Sequence, residues 1–350
     1  MEDVVVIGAG LSGLTAARQL DRAGYRVRVV DKSRGLGGRV ATRRREATAI
    51  DHGCRYLQPF ADPSLSPVPA MLTSGILRHW RPEMFELGDY DRLQAMAPTA
   101  IYAAPQGMSA IAKDLASGLT ICRHWRATAV TPQPQGWLVE GEDLGNDSQP
   151  QPQAFAARAV VIAIPAPQVA DLIGVAAGQN PAVQALIQPL QAVEFEPVIT
   201  VMAGYHGQPP SLPLQTSLGG WLVSGETHPA LRWAALDSSK RTDAQAPVVV
   251  IHSSAAFAVN NFERLDLEMV GQELVVIAAN TLTPALDAPA WMQVHRWRYG
   301  FVSQPLGAPV LSSAALPTLV GCGDWCLGGN VEGAIGSGQR AAQHIAQALK

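Results

Sequence analysis

The chain holds 350 residues, with 26 basic and 29 acidic side chains and a formal net charge of −3. That balance excludes a sequence-wide attraction to nucleic acid or to an anionic membrane surface. The length allows a large core and points to two lobes.

Val4-Val5-Val6-Ile7 is a β-branched apolar run, the composition of a buried parallel strand. Gly8, Gly10 and Gly13 follow as G-x-G-x-x-G, with Leu11 and Ser12 between the last two. Leu14 to Ala23 reads as a helix ended by Gly24-Tyr25, and Arg26 to Val30 as a second strand with Asp31 at its tip. Each glycine has a job: a tight turn at Gly8, close backbone approach of a pyrophosphate at Gly10, and helix–strand packing at Gly13. Free N–H groups at the helix start suit phosphates, and Asp31 suits ribose hydroxyls. Lys32 adjoins that ribose site.

The next segment, Asp31-Lys32-Ser33-Arg34-Gly35-Leu36-Gly37-Gly38-Arg39, resembles the extended fingerprint of the amine-oxidase-like flavoproteins. There an acid is followed by R-x-G-G-R. Gly37 and Gly38 allow close approach, and Arg39 offers a charged fork to a pyrophosphate. The resemblance implies FAD, bound without a covalent link. Arg43, Arg44 and Arg45 read as a basic loop.

Asp51-His52-Gly53-Cys54-Arg55-Tyr56 reads as a turn into a strand, and Arg55 and Tyr56 join the candidate cofactor residues. Pro59 to Pro69 is a proline-rich connector. Residues 71–102 read as a helix and short strands of a second lobe, and Gly107 to Ser117 as a helix. Val130, in an expected strand, is a further cofactor candidate. Trp137 to Glu140 reads as the second arm of a hairpin. Asp143 to Gln153 is a polar loop expected to move. Ala159 to Ile164 is another buried strand, ended by Pro165 and Pro167. Within residues 166–290, Val198 to Ala203, Gly220 to Val223 and Val248 to Ser253 read as strands and Leu265 to Asn280 as a helix.

Leu319-Val320-Gly321-Cys322-Gly323-Asp324 is a strand ending in Gly-Asp. It resembles the second FAD motif of the same superfamily, which makes Gly323 and Asp324 cofactor candidates. Gly328 to Ala334 leads into a helix running to Leu349. In that superfamily the start of this helix faces the flavin's pyrimidine end, which implicates Val331, Glu332 and Ala334. A helix N-terminus there stabilises the negative charge of reduced flavin.

These segments, with Gly107-Met108-Ser109-Ala110, Asp237-Ser238-Ser239-Lys240, His252-Ser253, Arg296-Trp297-Arg298-Tyr299 and Gly323-Asp324-Trp325, resemble the renalase-like branch of the FAD-dependent amine oxidase superfamily. Arg241-Thr242 and Ser253 to Phe257 depart from that branch's pattern, and both lie in the presumed substrate lobe. The resemblance implies an α/β fold of p-hydroxybenzoate-hydroxylase-like, amine-oxidase-like architecture. A discontinuous Rossmann-type FAD-binding lobe is expected from residues 1–60, 103–165 and 290–350. A mixed α+β substrate lobe is expected from residues 61–102 and 166–289. It further implies hydride transfer from isomeric 2- and 6-dihydro NAD(P) to flavin N5, with dioxygen reduced to hydrogen peroxide.

A dihydropyridine that gives up hydride becomes an aromatic cation, so placement matters more than an acid–base pair. The eight histidines show no partner pattern, and His52 and His252 read as structural. Trp297, Tyr299, Phe301 and Trp325 are candidates for stacking a flat ring, and Arg298 for meeting an anionic group. If one of the four lysines acts at the flavin through water, Lys240 is the candidate; a surface-loop lysine is the other reading. Cys54, Cys122, Cys322 and Cys326 form no metal-ligand pattern and read as reduced thiols. No apolar stretch suits a signal peptide or a membrane span, so a cytoplasmic monomer or homodimer is expected. Three alternatives stay open. They are an amine oxidase or desaturase of the same fold, a two-dinucleotide reductase, for which a second fingerprint is lacking, and a non-catalytic flavin-binding protein.

Overall fold

The computed structural model describes residues 1–45, 48–145, 151–178, 180–217 and 219–350. Two seven-stranded sheets organise them. In the first, Glu2–Ile7 lies between Gln151–Ile162 and Val27–Asp31, parallel to both. Val4, Val5 and Val6 are fully buried, as a run without alternation requires when both faces are covered. Thr120–Arg123 extends the sheet beyond Val27–Asp31, again in parallel. On the other side Trp125–Gln133, Gly136–Asp143 and Gln151–Ile162 form an antiparallel meander. Leu319–Gly321 pairs in parallel with Val160–Ile162, so the C-terminal motif returns to the first strand's neighbour.

The helix Leu11–Arg22 starts directly after the glycine turn, three residues earlier than the periodicity suggests. The last helix, Val331–Ala348, packs along it. A Cβ on Gly338 would lie 2.3 Å from the carbonyl oxygen of Ser12, so glycine permits this close approach.

The second sheet runs Trp291–Gln304, Glu194–Gly204, Val248–Ser253, Leu231–Leu236, Trp221–Ser224, Glu83–Leu87, Leu93–Ala95. The helix Leu267–Thr281 covers one face through Leu274, Val275 and Ala278. The opposite face carries Met202, Leu222, Trp233, Ala235 and Val250 into the core shared with the first lobe.

Three expectations change. Trp291–Gln304, placed by motif order in the cofactor lobe, is an edge strand of the second sheet, paired with Glu194–Gly204. Residues 166–190, where no element is expected, form two helices, Ala166–Ala177 and Pro181–Leu190. They bury Val169, Leu172, Ile173, Val183 and Leu186 beside Val5, Ile7 and Trp125 of the first sheet. Each begins with proline in its first turn, where the missing N–H costs nothing. The segment Asp51 to Tyr56 ends a strand, Thr48–Asp51, rather than entering one. Of the polar loop, residues 146–150 lie outside the described residues, and its flanks are strand up to Asp143 and from Gln151. No described helix is long and apolar enough to cross a membrane.

Candidate active site

A cavity of about 1300 Å³ runs between the lobes. Small-molecule sites are commonly ~300–1,000 Å³, so this one has room for a dinucleotide and a second molecule. Its first end is the glycine turn. Gly8 has φ +106°, and a Cβ there would sit 2.4 Å from the Ala163 carbonyl oxygen. A Cβ on Gly13 would lie 2.0 Å from the Gly8 oxygen, so this glycine packs helix on strand and does not line the cavity. Gly10 has open space where its Cβ would be. It is the N-cap of a 12-residue helix that no side chain caps, and the buried Ser12 hydroxyl beside it has no partner. Uncapped N–H groups, an orphaned hydroxyl and an open glycine together fit a phosphate.

Asp31 closes this end. Its carboxylate accepts the backbone N–H of Ala9 at 2.6 Å and of Ser33 at 2.7 Å, fixing the turn while remaining on the cavity wall. Lys32, Gly37 and Gly38 line the same wall, Gly37 tied to Ala9 by a 2.8 Å backbone bond. Val130 does not reach it. Its side chain is 1% exposed, in the core with Val5 and Val139. A register shift between Ala127 and Ala129 turns Arg126, Ala127 and Thr128 to the cavity instead.

Mid-cavity, the two flavoprotein-like motifs meet. Arg39 donates to Asp324 at 2.5 Å, so its fork is shared between a carboxylate and the cavity. The Asp324 carboxylate also accepts the Trp325 N–H, while its carbonyl accepts from Gly328 and Gly329. Gly323, Val331 and Ala334 line the wall beside it. Glu332 also lies there, but its carboxylate accepts the Ala61 and Asp62 N–H groups at 2.8 and 2.9 Å. Its side chain anchors a loop, and the helix start is what serves the cavity. Trp325, 1% exposed and bonded to the Ile164 carbonyl, packs the core.

The far end is aromatic and basic. Trp297 donates to the His52 carbonyl at 3.0 Å and stacks on its ring, centroids 5.3 Å apart at 27°. His295 packs edge-on against both rings. Burial, then His295 and Arg43, push the His52 pKa down to about 4; burial and Arg43 do the same to His295. Both are neutral near pH 7. His252, 2% exposed, is also held neutral by burial and by Arg55 and Lys240. Tyr299 lines the wall against Phe195, and Tyr56 lies on the wall opposite the second sheet. Arg55 lies over the rings of Trp233 and Phe301, at 5.5 and 5.4 Å.

Of the other two candidate catalytic residues, Lys240 lies off the cavity wall and Arg298 at its exposed rim. Lys240 is fully buried. Its ammonium donates to Asp237 at 2.6 Å and to Asp51 at 3.4 Å, and Arg241 binds the same two carboxylates. Two charges of each sign cancel, as burial of ions requires. Burial raises the Asp51 pKa, but Lys240 and Arg241 override it and hold the carboxyl below its ordinary value. The cluster fixes the segment that carries His52 to Tyr56. Arg298 pairs with exposed Glu263 at 2.9 Å and points out to solvent. Strand alternation sends it away from the face that carries Trp297.

His295, Arg232 and residues 126–128 are among the wall residues that motif reading misses. Period-two spacing of His295, Trp297, Tyr299 and Phe301 in a strand is the signal that would have found the first. Nothing in the sequence marks Arg232.

The residues fit FAD by these observations, and the comparisons agree. Residues 6–69 match the NAD(P)-binding Rossmann-like domain, and residues 71–346 match the flavin containing amine oxidoreductase family. Over 47 residues the chain is 51% identical to Protein FLOWERING LOCUS D of Arabidopsis thaliana, covering 13% of this chain and 6% of that protein. It is 54% identical over 43 residues to an L-amino-acid oxidase of Echis ocellatus, covering 12% of this chain and 8% of that one. These matches span only a small part of either relative's length. Among solved structures, putrescine oxidase bound to putrescine superposes with TM-score 0.72 at 15% identity, and cyclohexylamine oxidase from Brevibacterium oxydans IH-35A with TM-score 0.71 at 14%. Each covers 99% of both chains, a likeness of fold. With the phosphate cradle, the ribose acid and the Arg39–Asp324 meeting point in one cavity, and a family match over residues 71–346, the chain belongs to the flavin containing amine oxidoreductases and takes FAD as its cofactor.

Proposed function

We propose that this protein is an FAD-dependent oxidase that breaks a C–H bond next to nitrogen in a small substrate. The observation that carries this reading is the far wall of the cavity: neutral His52 and His295 packed with Trp297. The cavity-lining carboxylates are Asp31, Asp171, Asp324 and Glu332, and none belongs to segments 52–57 or 295–301. That end therefore offers packing faces and neutral hydrogen-bonding groups, but no ionised base to take a proton. FAD, when bound, supplies the hydride acceptor and passes the electron pair to dioxygen, giving hydrogen peroxide. The substrate, losing H⁻, is left with a carbon–nitrogen double bond and a positive charge. Tyr299, Trp297 and His52 hold it in place and keep water away.

An amine oxidised to its imine is the reading that family membership favours. Oxidation of 2- or 6-dihydro NAD(P), the renalase-like reading, breaks the same kind of bond, since both positions adjoin the ring nitrogen. The stacked His52–Trp297 pair favours this second reading, because it presents a flat face. Anaerobic titration of the yellow holoenzyme decides. A panel of primary and secondary amines is run beside the 2-, 4- and 6-dihydro isomers, and flavin bleaching is followed. Bleaching by amines or by the 2- and 6-isomers supports the proposal, and its distribution selects the reading. A flavin left oxidised by all of them refutes it.

A further inference from the structure

The far end of the cavity holds more hydrogen-bonding capacity than the protein satisfies. His295, Thr200, His252 and Trp233 are direct cross-strand neighbours on four adjacent strands. Direct opposition puts them on one face of the sheet, as a row. The Thr200 hydroxyl, the Trp233 indole N–H and both ring nitrogens of His252 are buried without a partner. Buried polar atoms in folded proteins are paired with protein, water or ligand; of this row Thr200 and Trp233 lie behind the wall, and the unpartnered nitrogens of His252 are the ones a molecule in the cavity can reach. His252 belongs to the cavity wall.

Arg55 stands over this row, its guanidinium on the Trp233 and Phe301 rings. Among the described residues it has no hydrogen-bond acceptor and no carboxylate partner. Arg232, 4.0 Å above the same Phe301 ring, has its charge paired with Glu196 and lies 3.7 Å from Glu226, with its Nε–H left unpartnered. Arg55 is thus a permanent cation on the wall whose five donors are uncommitted. A free alkylammonium is repelled at this end. A planar carboxylate matches the guanidinium fork, and its second oxygen can accept from the ring N–H of His252 on the same wall.

We propose that Arg55, with the unpartnered His252, is the binding site for a carboxylate on the substrate. The protein then selects substrates whose oxidisable C–N unit is attached to an anionic group. Simple polyamines, which carry only positive charge, are poor substrates. The carboxylate also offsets the positive charge that hydride loss creates. This rests on the proposed function only in taking the histidine end as the substrate end.

The test is binding, read on the visible spectrum of FAD in the intact holoenzyme. Benzoate, benzamide, benzylamine and inorganic phosphate are titrated separately. Benzoate is expected to perturb the spectrum saturably and to bind at least about tenfold more tightly than benzamide, the difference a charge-assisted bond makes. Arg55→Met should weaken benzoate about ten- to hundredfold and leave the FAD content intact, and Arg55→Lys should restore part of the loss. Equal binding of benzamide or benzylamine overturns the proposal, as does phosphate matching benzoate. FAD lost from Arg55→Met and retained in Arg55→Lys without change in benzoate affinity also overturns it, making Arg55 a cofactor residue. If the methionine variant fails to fold, the ligand ranking on the unmodified protein still decides. Benzoate binding through Arg55 in a holoenzyme that no amine or dihydro isomer reduces would refute the proposed function and leave the carboxylate site standing.

Discussion

The residue that changes most between sequence and structure is Lys240. Its rarity in the chain and its Asp-Ser-Ser-Lys setting suggest a catalytic lysine. The structure places it in a closed four-ion cluster with Asp51, Asp237 and Arg241. Removing one member of such a cluster strands a buried charge. Lys240→Met is therefore expected to destabilise the fold by about 3–5 kcal/mol, read as a lowered denaturant midpoint with unchanged slope. Its folded fraction should keep FAD and its reduction rate. Full stability with slow flavin reduction would return Lys240 to catalysis. Asp31 behaves differently, because motif and structure agree on it. Asp31→Ala should lose FAD affinity by roughly 1.5–3 kcal/mol for each charge-assisted bond removed, measured by FAD titration of the apoprotein. Unchanged binding would place the ribose elsewhere. The position of Asp31 on the cavity wall was legible because it follows from local order: strand, turn, helix, strand, acid. Lys240 was not, because its partner Asp51 lies 189 positions away, in another lobe's sequence.

At the scale of elements, the cofactor half was legible and the substrate half in part: the strands Glu194–Gly204, Trp221–Ser224 and Val248–Ser253 and the helix Leu267–Thr281 lie where apolar runs and helix signals put them. Glu2–Ile7, Leu11–Arg22, Leu319–Gly321 and Val331–Ala348 follow from apolar runs, glycine spacing and helix signals within short windows. The helix Ala166–Ala177 was missed because Pro165 and Pro167 read as breakers when they mark a helix start; Pro181 marks the start of Pro181–Leu190 in the same way. Trp291–Gln304 was misplaced because motif order says which residues meet the cofactor but not which sheet supplies them. This strand is the element to test. Its inner face carries His295, Trp297 and Tyr299 to the cavity, and its outer face sends Arg298 to Glu263. Tyr299→Ala should slow flavin reduction at least about tenfold, a loss of over ~1.4 kcal/mol in transition-state placement, with FAD retained. Arg298→Ala should change neither rate nor stability beyond about 0.5 kcal/mol. The reverse pattern would mean that the strand's register differs from the one described.

For the whole molecule, the two sheets share one cavity, and the charges around it set the response to acid. The His52 and His295 pKa values are depressed to about 4 in the folded protein, against an ordinary 6.5. Between those values the unfolded chain binds protons that the folded chain refuses, so stability is full above pH 6.5 and falls as pH drops toward 4. Asp51, depressed below its ordinary value, extends the loss further into acid. The melting temperature should fall steadily across pH 6.5 to 4, and less steeply in His295→Phe; a flat profile would mean that these histidines titrate normally. The same neutrality governs chemistry, and the most direct measurement is the rate of anaerobic flavin reduction against pH, by rapid mixing, with a substrate that bleaches the flavin. The substrate is used with hydrogen or deuterium on the carbon next to nitrogen. The account predicts a primary isotope effect, and between pH 6 and 8 no ionisation beyond that of the substrate itself. A rate that falls steeply with protonation of an enzyme group near neutral pH, with no isotope effect, would contradict hydride transfer in a cavity without a base.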